Sequence, residues 1–433
     1  MLVFRGGRIM NPHNARSLIV AVAALCFVSA FSNAASAQDS VVDLLRRELA
    51  EMRQQVTKLV ERIEQLEREK TAAPAQQKPA EEGVAAAAPP APGAKAAASA
   101  FNPAISVNAL FSGGYSSNPK ATRRLTGLDF QNGFNFQEAE VQFTADVDPY
   151  WKANLIFSVN RAGEAGLEEG YVTSEELPYG LLPRNTSLKL GKFFPAFGKH
   201  NLLHAHQFPF IDRPLVSLAV FGDEGLKEPG AGLSYLLPTS WFSELTFQGM
   251  AGENEGMFRF KGDSKPRGAY LGHWKNFFYL SDETTLEIGN SYIGGRNSAS
   301  RRPWSHAAGL DLTIKWRPLQ RATEKALIWQ TEYIYFNQDR GRNGSSQGGG
   351  LYSSLQYQFA KRWWLQGRYD LLGIPNFDGE RKHRWTTLLA FVPSEFSAIR
   401  LQHSYTAQDR GGPLNQVLLQ FNFTIGSHPA HQY

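Results

Sequence analysis

Gln137-Glu138-Ala139-Glu140-Val141-Gln142-Phe143-Thr144-Ala145-Asp146-Val147 alternates polar and apolar residues without a break. Successive side chains of a strand point to opposite faces, so this stretch is apolar on one face (Ala139, Val141, Phe143, Ala145, Val147) and strongly polar on the other. The end of the chain repeats the pattern, with Val417, Leu419, Phe421, Phe423 and Ile425 set between Gln416, Gln420, Asn422 and Thr424. Weaker versions lie at 105–115, 150–160, 168–176, 186–194, 229–237, 242–251, 270–280, 284–294, 305–317, 326–337, 349–359, 362–371, 384–393 and 396–406, which makes 16 candidate strands. Most run to about ten residues, the length at which a tilted strand crosses a bilayer.

A soluble sandwich also alternates, so the connections have to decide. Short links such as Pro238-Thr239-Ser240-Trp241 and Pro393-Ser394-Glu395 are expected to alternate with long ones at 116–133, 195–228, 252–269, 338–348 and 372–383, with 177–185 fitting the scheme poorly. An even strand count with alternating short and long connections is the plan of an outer-membrane barrel. Tyr150-Trp151, Trp241-Phe242, Trp316 and Trp363-Trp364 sit beside the short turns, where an interfacial aromatic girdle belongs. The expected fold is therefore an all-β transmembrane antiparallel barrel of about 16 strands occupying 101–433.

The residues before it divide into three. Arg5, Arg8 and Arg16 precede an apolar run from Leu18 to Phe31 and the small-residue stretch Ala35-Ser36-Ala37, so 1–37 reads as a signal peptide that takes Cys26, the one cysteine, with it. Within 38–70, Val42, Leu49, Val56 and Ile63 interleave with Leu45, Met52, Leu59 and Leu66 in steps of three and four. This is the seam of a coiled coil, expected in the periplasm and expected to form a dimer or trimer through 42–66. Residues 71–100 hold 14 Ala and 5 Pro and read as an extended spacer. Removing three arginines and no acid lowers the formal charge from +5 to +2, which leaves no compositional case for a nucleic-acid partner.

Candidate functional residues concentrate in the long connection 195–228. It carries Lys199, His200, His204, His206, Asp212, Arg213, Asp223 and Glu224, the densest group of titratable side chains in the chain. His204 and His206, with Asp212 or Asp223 nearby, have the donor chemistry of a zinc site, and the plainer reading is a wet constriction whose charge they set. The tail pair His428 and His431 is a second possible ligand pair. On the expected inner face Glu138, Glu140, Asp146, Glu244 and Glu287 oppose Lys152, Lys189, Lys275, Arg368 and Arg400, and 33 basic against 30 acidic residues in 101–433 give no single-sign ladder. There is no His-Glu-x-x-His, no Gly-x-Ser-x-Gly and no complete phosphate-binding glycine loop, so an enzyme is not expected.

Several motifs occurring in order carry a resemblance. Gln137-Glu138-Ala139-Glu140 with Asp146-Val147-Asp148-Pro149-Tyr150, Gly191-Lys192-Phe193 through Phe197-Gly198, His204-x-His206, Gly222-Asp223-Glu224-Gly225-Leu226 and Leu236-Leu237-Pro238 are similar to a family labelled zinc-regulated TonB-dependent outer membrane receptor. More distantly, the chain resembles the porin superfamily that includes phosphate-selective porins. The resemblance implies an outer-membrane barrel with a link to zinc, in which the third outer loop folds inward and narrows the pore. Energised transport is not expected, because coiled coil and spacer stand where a plug domain would be needed.

The function expected from these features is a porin-like channel in the outer membrane of a Gram-negative bacterium, passing small hydrophilic solutes or ions by passive diffusion and constricted by 195–228. A zinc-binding or uptake protein is the alternative, with zinc as its cofactor and His204 and His206 as its ligands. A tether between outer-membrane lipid and peptidoglycan is a further one.

Overall fold

The computed structural model describes residues 103–177, 180–258, 268–297, 303–339, 344–377 and 380–426. The signal peptide, coiled coil, spacer and histidine tail expected from the sequence lie outside the described residues. Sixteen antiparallel strands form one closed barrel, each paired with its neighbours in sequence and the last with the first. They are β1 (Ala104–Ser116), β2 (Gly133–Asp146), β3 (Lys152–Asn160), β4 (Ala165–Ser174), β5 (Thr186–Phe193), β6 (Glu228–Leu236), β7 (Phe242–Met250) and β8 (Ala269–Ser281). The second half comprises β9 (Thr284–Arg296), β10 (Trp304–Trp316), β11 (Ala326–Asp339), β12 (Ser345–Ala360), β13 (Trp363–Phe377), β14 (Glu380–Ser394), β15 (Ser397–Gln408) and β16 (Leu414–Gly426).

Alternation decides which way each side chain faces. On β16, Val417, Leu419 and Phe421 are exposed outside while Gln416 and Gln420 are buried inside. The outer surface carries an aliphatic belt that includes Leu155, Leu190, Leu233, Leu310, Leu355, Leu365, Leu389 and Leu401. Aromatic residues flank it at both ends. Tyr150, Phe242, Tyr279, Trp363 and Phe396 lie toward the turn end, and Tyr115, Phe134, Tyr270 and Trp304 toward the loop end. This layering has the form expected of a surface in contact with lipid.

Strict alternation of link lengths does not hold. The connection 161–164 at the loop end is short, 175–185 at the turn end is long, and β13 and β14 extend until only 378–379 separate them. Register shifts lie between Leu110 and Phe111 in the β1–β2 ladder and between Ile156 and Phe157 in the β3–β4 ladder, and the short 161–164 link is closed by Asn160. Its side-chain oxygen accepts the Ala162 and Glu164 N–H groups at 3.0 and 3.1 Å.

Two helices form at the loop end. α1 (Pro119–Thr126) begins at Asn118, whose side chain accepts the Ala121 N–H, and stops at Gly127, whose positive φ of 75° turns the chain away. α2 (Leu215–Phe221) follows Pro214 and has no cap of its own. Its first N–H, that of Leu215, is taken instead by the Asp370 carboxylate of β13 at 2.9 Å.

α2 lies inside the barrel. Leu215, Val216, Val220 and Phe221 join Ile293, Ile334, Phe336, Tyr352 and Leu372 of the inner wall in one apolar cluster. Burial of each such side chain contributes about 2 kcal/mol before conformational entropy is counted. Close approach requires glycine on β12, since a Cβ at Gly350 would sit 2.7 Å from the Leu371 carbonyl oxygen and 3.1 Å from Val216. Gly350→Leu is expected to cost about 1–3 kcal/mol through overpacking and to raise amide exchange at 215–221. Unchanged exchange there would contradict this seating of α2.

Candidate functional site

The connection 194–227 leaves β5, crosses the barrel interior and returns to β6. Its backbone is held by inward-pointing wall side chains one after another. Glu169 accepts the Phe194 N–H at 2.8 Å, Gln248 that of Ala196 at 2.9 Å and Ser291 that of Gly198 at 2.9 Å. Gly198 has a φ of 59° and lies so close to Glu332 that a Cβ would collide with the carboxylate. Lys199 then pairs with Glu287 of β9 at 2.8 Å, and Glu287 pairs also with Lys275 at 3.3 Å. The two limbs of the loop are joined by Asn201, which donates to the Pro195 and Leu226 carbonyls and accepts the Leu226 N–H at 2.9 Å.

On the far side the loop meets arginines. Arg368 of β13 and Arg384 of β14 hold the two carboxylate oxygens of Asp212 at 3.0 and 2.5 Å, and Gln402 of β15 adds a third donor at 2.9 Å. All three charged side chains are at most 1% exposed. Arg400 donates to the Phe208 carbonyl at 2.5 Å, Gln402 accepts the Ile211 N–H at 2.8 Å, and Arg384 reaches back to the Leu125 carbonyl of α1. Burial alone would push the Asp212 pKa up. The two guanidinium groups outweigh it and hold the carboxyl below its ordinary value.

The middle of the loop turns to the acidic wall. His204 lies between two single 3-10 turns, His200–Leu202 and Ala205–Gln207. Its ring faces Glu140 of β2 and Glu168 and Glu169 of β4, and His206 Nδ1 lies 3.0 Å from the Glu140 carboxylate. Burial lowers the His204 pKa, and the carboxylates, Glu140 first, overcome it and raise the net value well above that of free imidazole. His200 behaves oppositely. It is enclosed beside Arg213 and Arg368, so burial and two like charges lower its pKa and leave a neutral ring. Beside it a cavity of about 10 Å³, lined by His200, Phe210, Tyr352 and Arg368, has room for about one water molecule.

The structure thus brings Lys199, His200, His204, His206, Asp212 and Arg213 into the barrel interior. Asp223 and Glu224 lie elsewhere, at the exposed return of the loop. There Asp223 pairs with Arg123 of α1 at 2.8 Å and Glu224 with Lys227 at 2.5 Å. The carboxylates beside the two histidines are accordingly glutamates of the wall and not Asp212 or Asp223. Register places Glu138, Glu140, Lys152, Lys189 and Arg400 on the inner face, with Lys152 opposite Thr173 and Thr173 opposite Lys189 near the turn end. Lys189 lies 3.8 Å from the centre of the Tyr171 ring.

Inner charges are mixed overall, with Lys275 beside Glu287 and Arg368 beside Asp370, but they are sorted locally. Acids gather on β2 and β4, and Arg368, Arg384 and Arg400 form a row on three consecutive strands. Glu168, Glu169, Asp370 and Arg384 were not singled out in the sequence. The Glu168-Glu169 pair interrupts alternation in 165–174, which is a visible signal, whereas nothing near Arg384 marks it.

No family model matches this sequence. An uncharacterized protein of Aquifex aeolicus is 30% identical over 345 aligned residues, covering 71% of each chain. The chain belongs to the family of that protein. Among solved structures, a loop L8 deletion mutant of OmpT, an outer membrane protein of Vibrio cholerae, superposes with a TM-score of 0.50 at 9% identity over 75% of this chain and 100% of that one. The outer membrane channel DcaP of Acinetobacter baumannii gives a TM-score of 0.49 at 11% identity over 75% of this chain and 96% of that one. The fold of this family member is thus a porin-like barrel.

Asp212→Asn leaves Arg368 and Arg384 buried with one fewer counter-charge. Loss of one partner from such a cluster costs about 3–5 kcal/mol, so the loop is expected to detach while the barrel stays closed. Trypsin cleavage at Lys199 or Arg213, with unchanged gel mobility of the unheated barrel, is the measurement. Because the folded Asp212 pKa is depressed, its stabilisation is complete above the unfolded value of about 3.9 and is lost as pH falls through the folded value. Pepsin should therefore cut the wild-type loop only at a pH below the ordinary aspartate range.

Proposed function

We propose that the chain is a narrow channel of the outer membrane through which small hydrophilic solutes or ions diffuse passively, with 194–227 setting its width. The observation that carries this reading is the reversal of polarity between the two faces of the barrel, joined to a loop held inside it by ion pairs. An apolar exterior between aromatic bands suits lipid. A lumen lined by Lys275, Glu287, Lys189 and Glu244 toward the turn end is wettable, and Lys275, Glu287 and Lys199 form a charge chain leading up to the loop. The likeness of fold to an outer membrane protein agrees with this location. In this reading 38–70 oligomerises the channel on the periplasmic side.

A wall that carries both signs of charge, acids on β2 and β4 and arginines on β13 to β15, argues for weak selectivity between anions and cations. The buried state of the wall beneath the loop argues for low conductance, since Gln402, Gln416 and Gln420 are at most 1% exposed. In planar bilayers the folded wild type should give small single-channel steps, and replacing 199–221 by a short Gly-Ser link should enlarge them several-fold. Silence from both folded proteins would overturn the channel reading.

A further inference from the structure

Three donor side chains converge where the middle of the loop meets the acidic wall. His204 Nδ1 lies 3.4 Å from Glu140 Oε2 and 3.5 Å from Glu168 Oε2, and one donor atom from each of the three residues falls within a 4.8 Å group. A tetrahedral ion with ligand bonds of about 2.0–2.2 Å sets its ligand atoms about 3.3–3.6 Å apart. The two edges that start from His204 match that spacing.

Hydrogen bonding independently marks these atoms for a ligand. His204, Glu140 and Glu168 are each at most 7% exposed, yet His204 Nδ1, Glu140 Oε1 and Glu168 Oε2 make no hydrogen bond. The contacts of 3.4 and 3.5 Å from His204 Nδ1 to the two carboxylates are ion-pair distances longer than a good hydrogen bond, which leaves these buried atoms open to a cation placed between them. The opposite ring nitrogen is fixed. Glu169 Oε2 lies 3.0 Å from His204 Nε2, and the other Glu169 oxygen is held by the Phe194 N–H at 2.8 Å. A carboxylate that orients the far nitrogen of an imidazole is the arrangement found behind metal-ligating histidines. Phe194 also packs edge-on against the His204 ring at 5.0 Å, which restricts its rotation.

Charge agrees with a dication. Glu140, Glu168 and Glu169 bring three negative charges, and Lys227 offsets one of them from 3.7 Å on the Oε1 side of Glu168, leaving Oε2 turned to the cluster.

We propose that His204, Glu140 and Glu168 bind one divalent transition-metal ion of the zinc class, and that the ion fastens the middle of the loop to β2 and β4. Imidazole with carboxylate suits zinc better than calcium or magnesium, which favour oxygen-only shells. Glu169 is a positioning residue. The proposal does not rest on the channel reading, because the site is complete within one barrel whether or not solute passes.

The test is calorimetry with Zn2+ alone on the full chain, purified in detergent and stripped with chelator. One ion per chain is expected. Glu140→Gln and Glu168→Gln should each weaken binding at least tenfold, His204→Gln should abolish it, and Glu169→Gln should weaken it by a smaller factor. A His428→Ala/His431→Ala chain should bind as the wild type does. Circular dichroism and the mobility of unheated protein verify that each variant is folded. Should a variant fail to fold, the visible spectrum of the Co2+-loaded wild type decides: intense bands of a four-coordinate nitrogen-oxygen site support the proposal, and the weak absorption of six-coordinate cobalt overturns it. Absence of heat in the wild type, unchanged heats in His204→Gln, or heats lost only with the tail histidines would also overturn it. Conductance recorded in parallel separates the two readings, since a silent channel that binds zinc defeats the one and leaves the other standing.

Discussion

A carboxylate held between two buried guanidinium groups is the constraint on which the interior depends. Arg368 and Arg384 stand on adjacent strands of a closed barrel, so their separation is fixed by the sheet and not by the loop. Asp212 bridges both and can do so only when the loop has crossed the lumen, while Asp370 supplies the second counter-charge from 2.8 Å on Arg368. The cost of desolvating these ions is large, and replacing them with apolar residues could hold the loop as firmly. What the ions add is a single permitted position, because a slip of one residue would put Ile211 or Arg213 against the arginines.

The barrel was legible because its signal is simple. Period two with an apolar outer face follows from lipid on one side and water or polar loop on the other, and 137–147 and 416–425 carry it almost undiluted. All 16 strand regions read from the sequence contain a strand of the barrel. The pattern weakens on β9 to β13 for a physical reason: Ile293, Ile334, Phe336 and Leu372 point inward, where α2 gives them an apolar partner. Link lengths were less legible. Residues 372–383 look like a loop by composition, with Gly373, Pro375 and Gly379, yet most of them belong to β13 and β14, whose ladder is irregular between Leu372 and Phe377.

The candidate site was half legible. His200, His204, His206, Asp212 and Arg213 lie close together in one segment, so their density shows in the sequence. Their partners do not. Asp212 and Arg384 are 172 positions apart, and His204 and Glu169 are 35 apart, distances that only barrel closure makes short. Charge arithmetic failed in the same way: nearly equal totals of acid and base describe a uniform mixture and a locally sorted wall equally well.

The loop is held by two kinds of force that overlap along its length. From 215 to 221 the hold is mainly apolar, set by the shape of α2 against β11 to β13, with the Leu215 N–H on Asp370 as a polar anchor. From 199 to 213 polar holds on three different parts of the wall, through Lys199, His204 and Asp212, are joined by a second apolar cluster in which Phe210 and Ile211 meet Leu388, Ala390 and Leu418. Acid acts on the polar holds alone, so protonation of Asp212 weakens the attachment at the arginines and leaves the packing on either side of Pro214 in place.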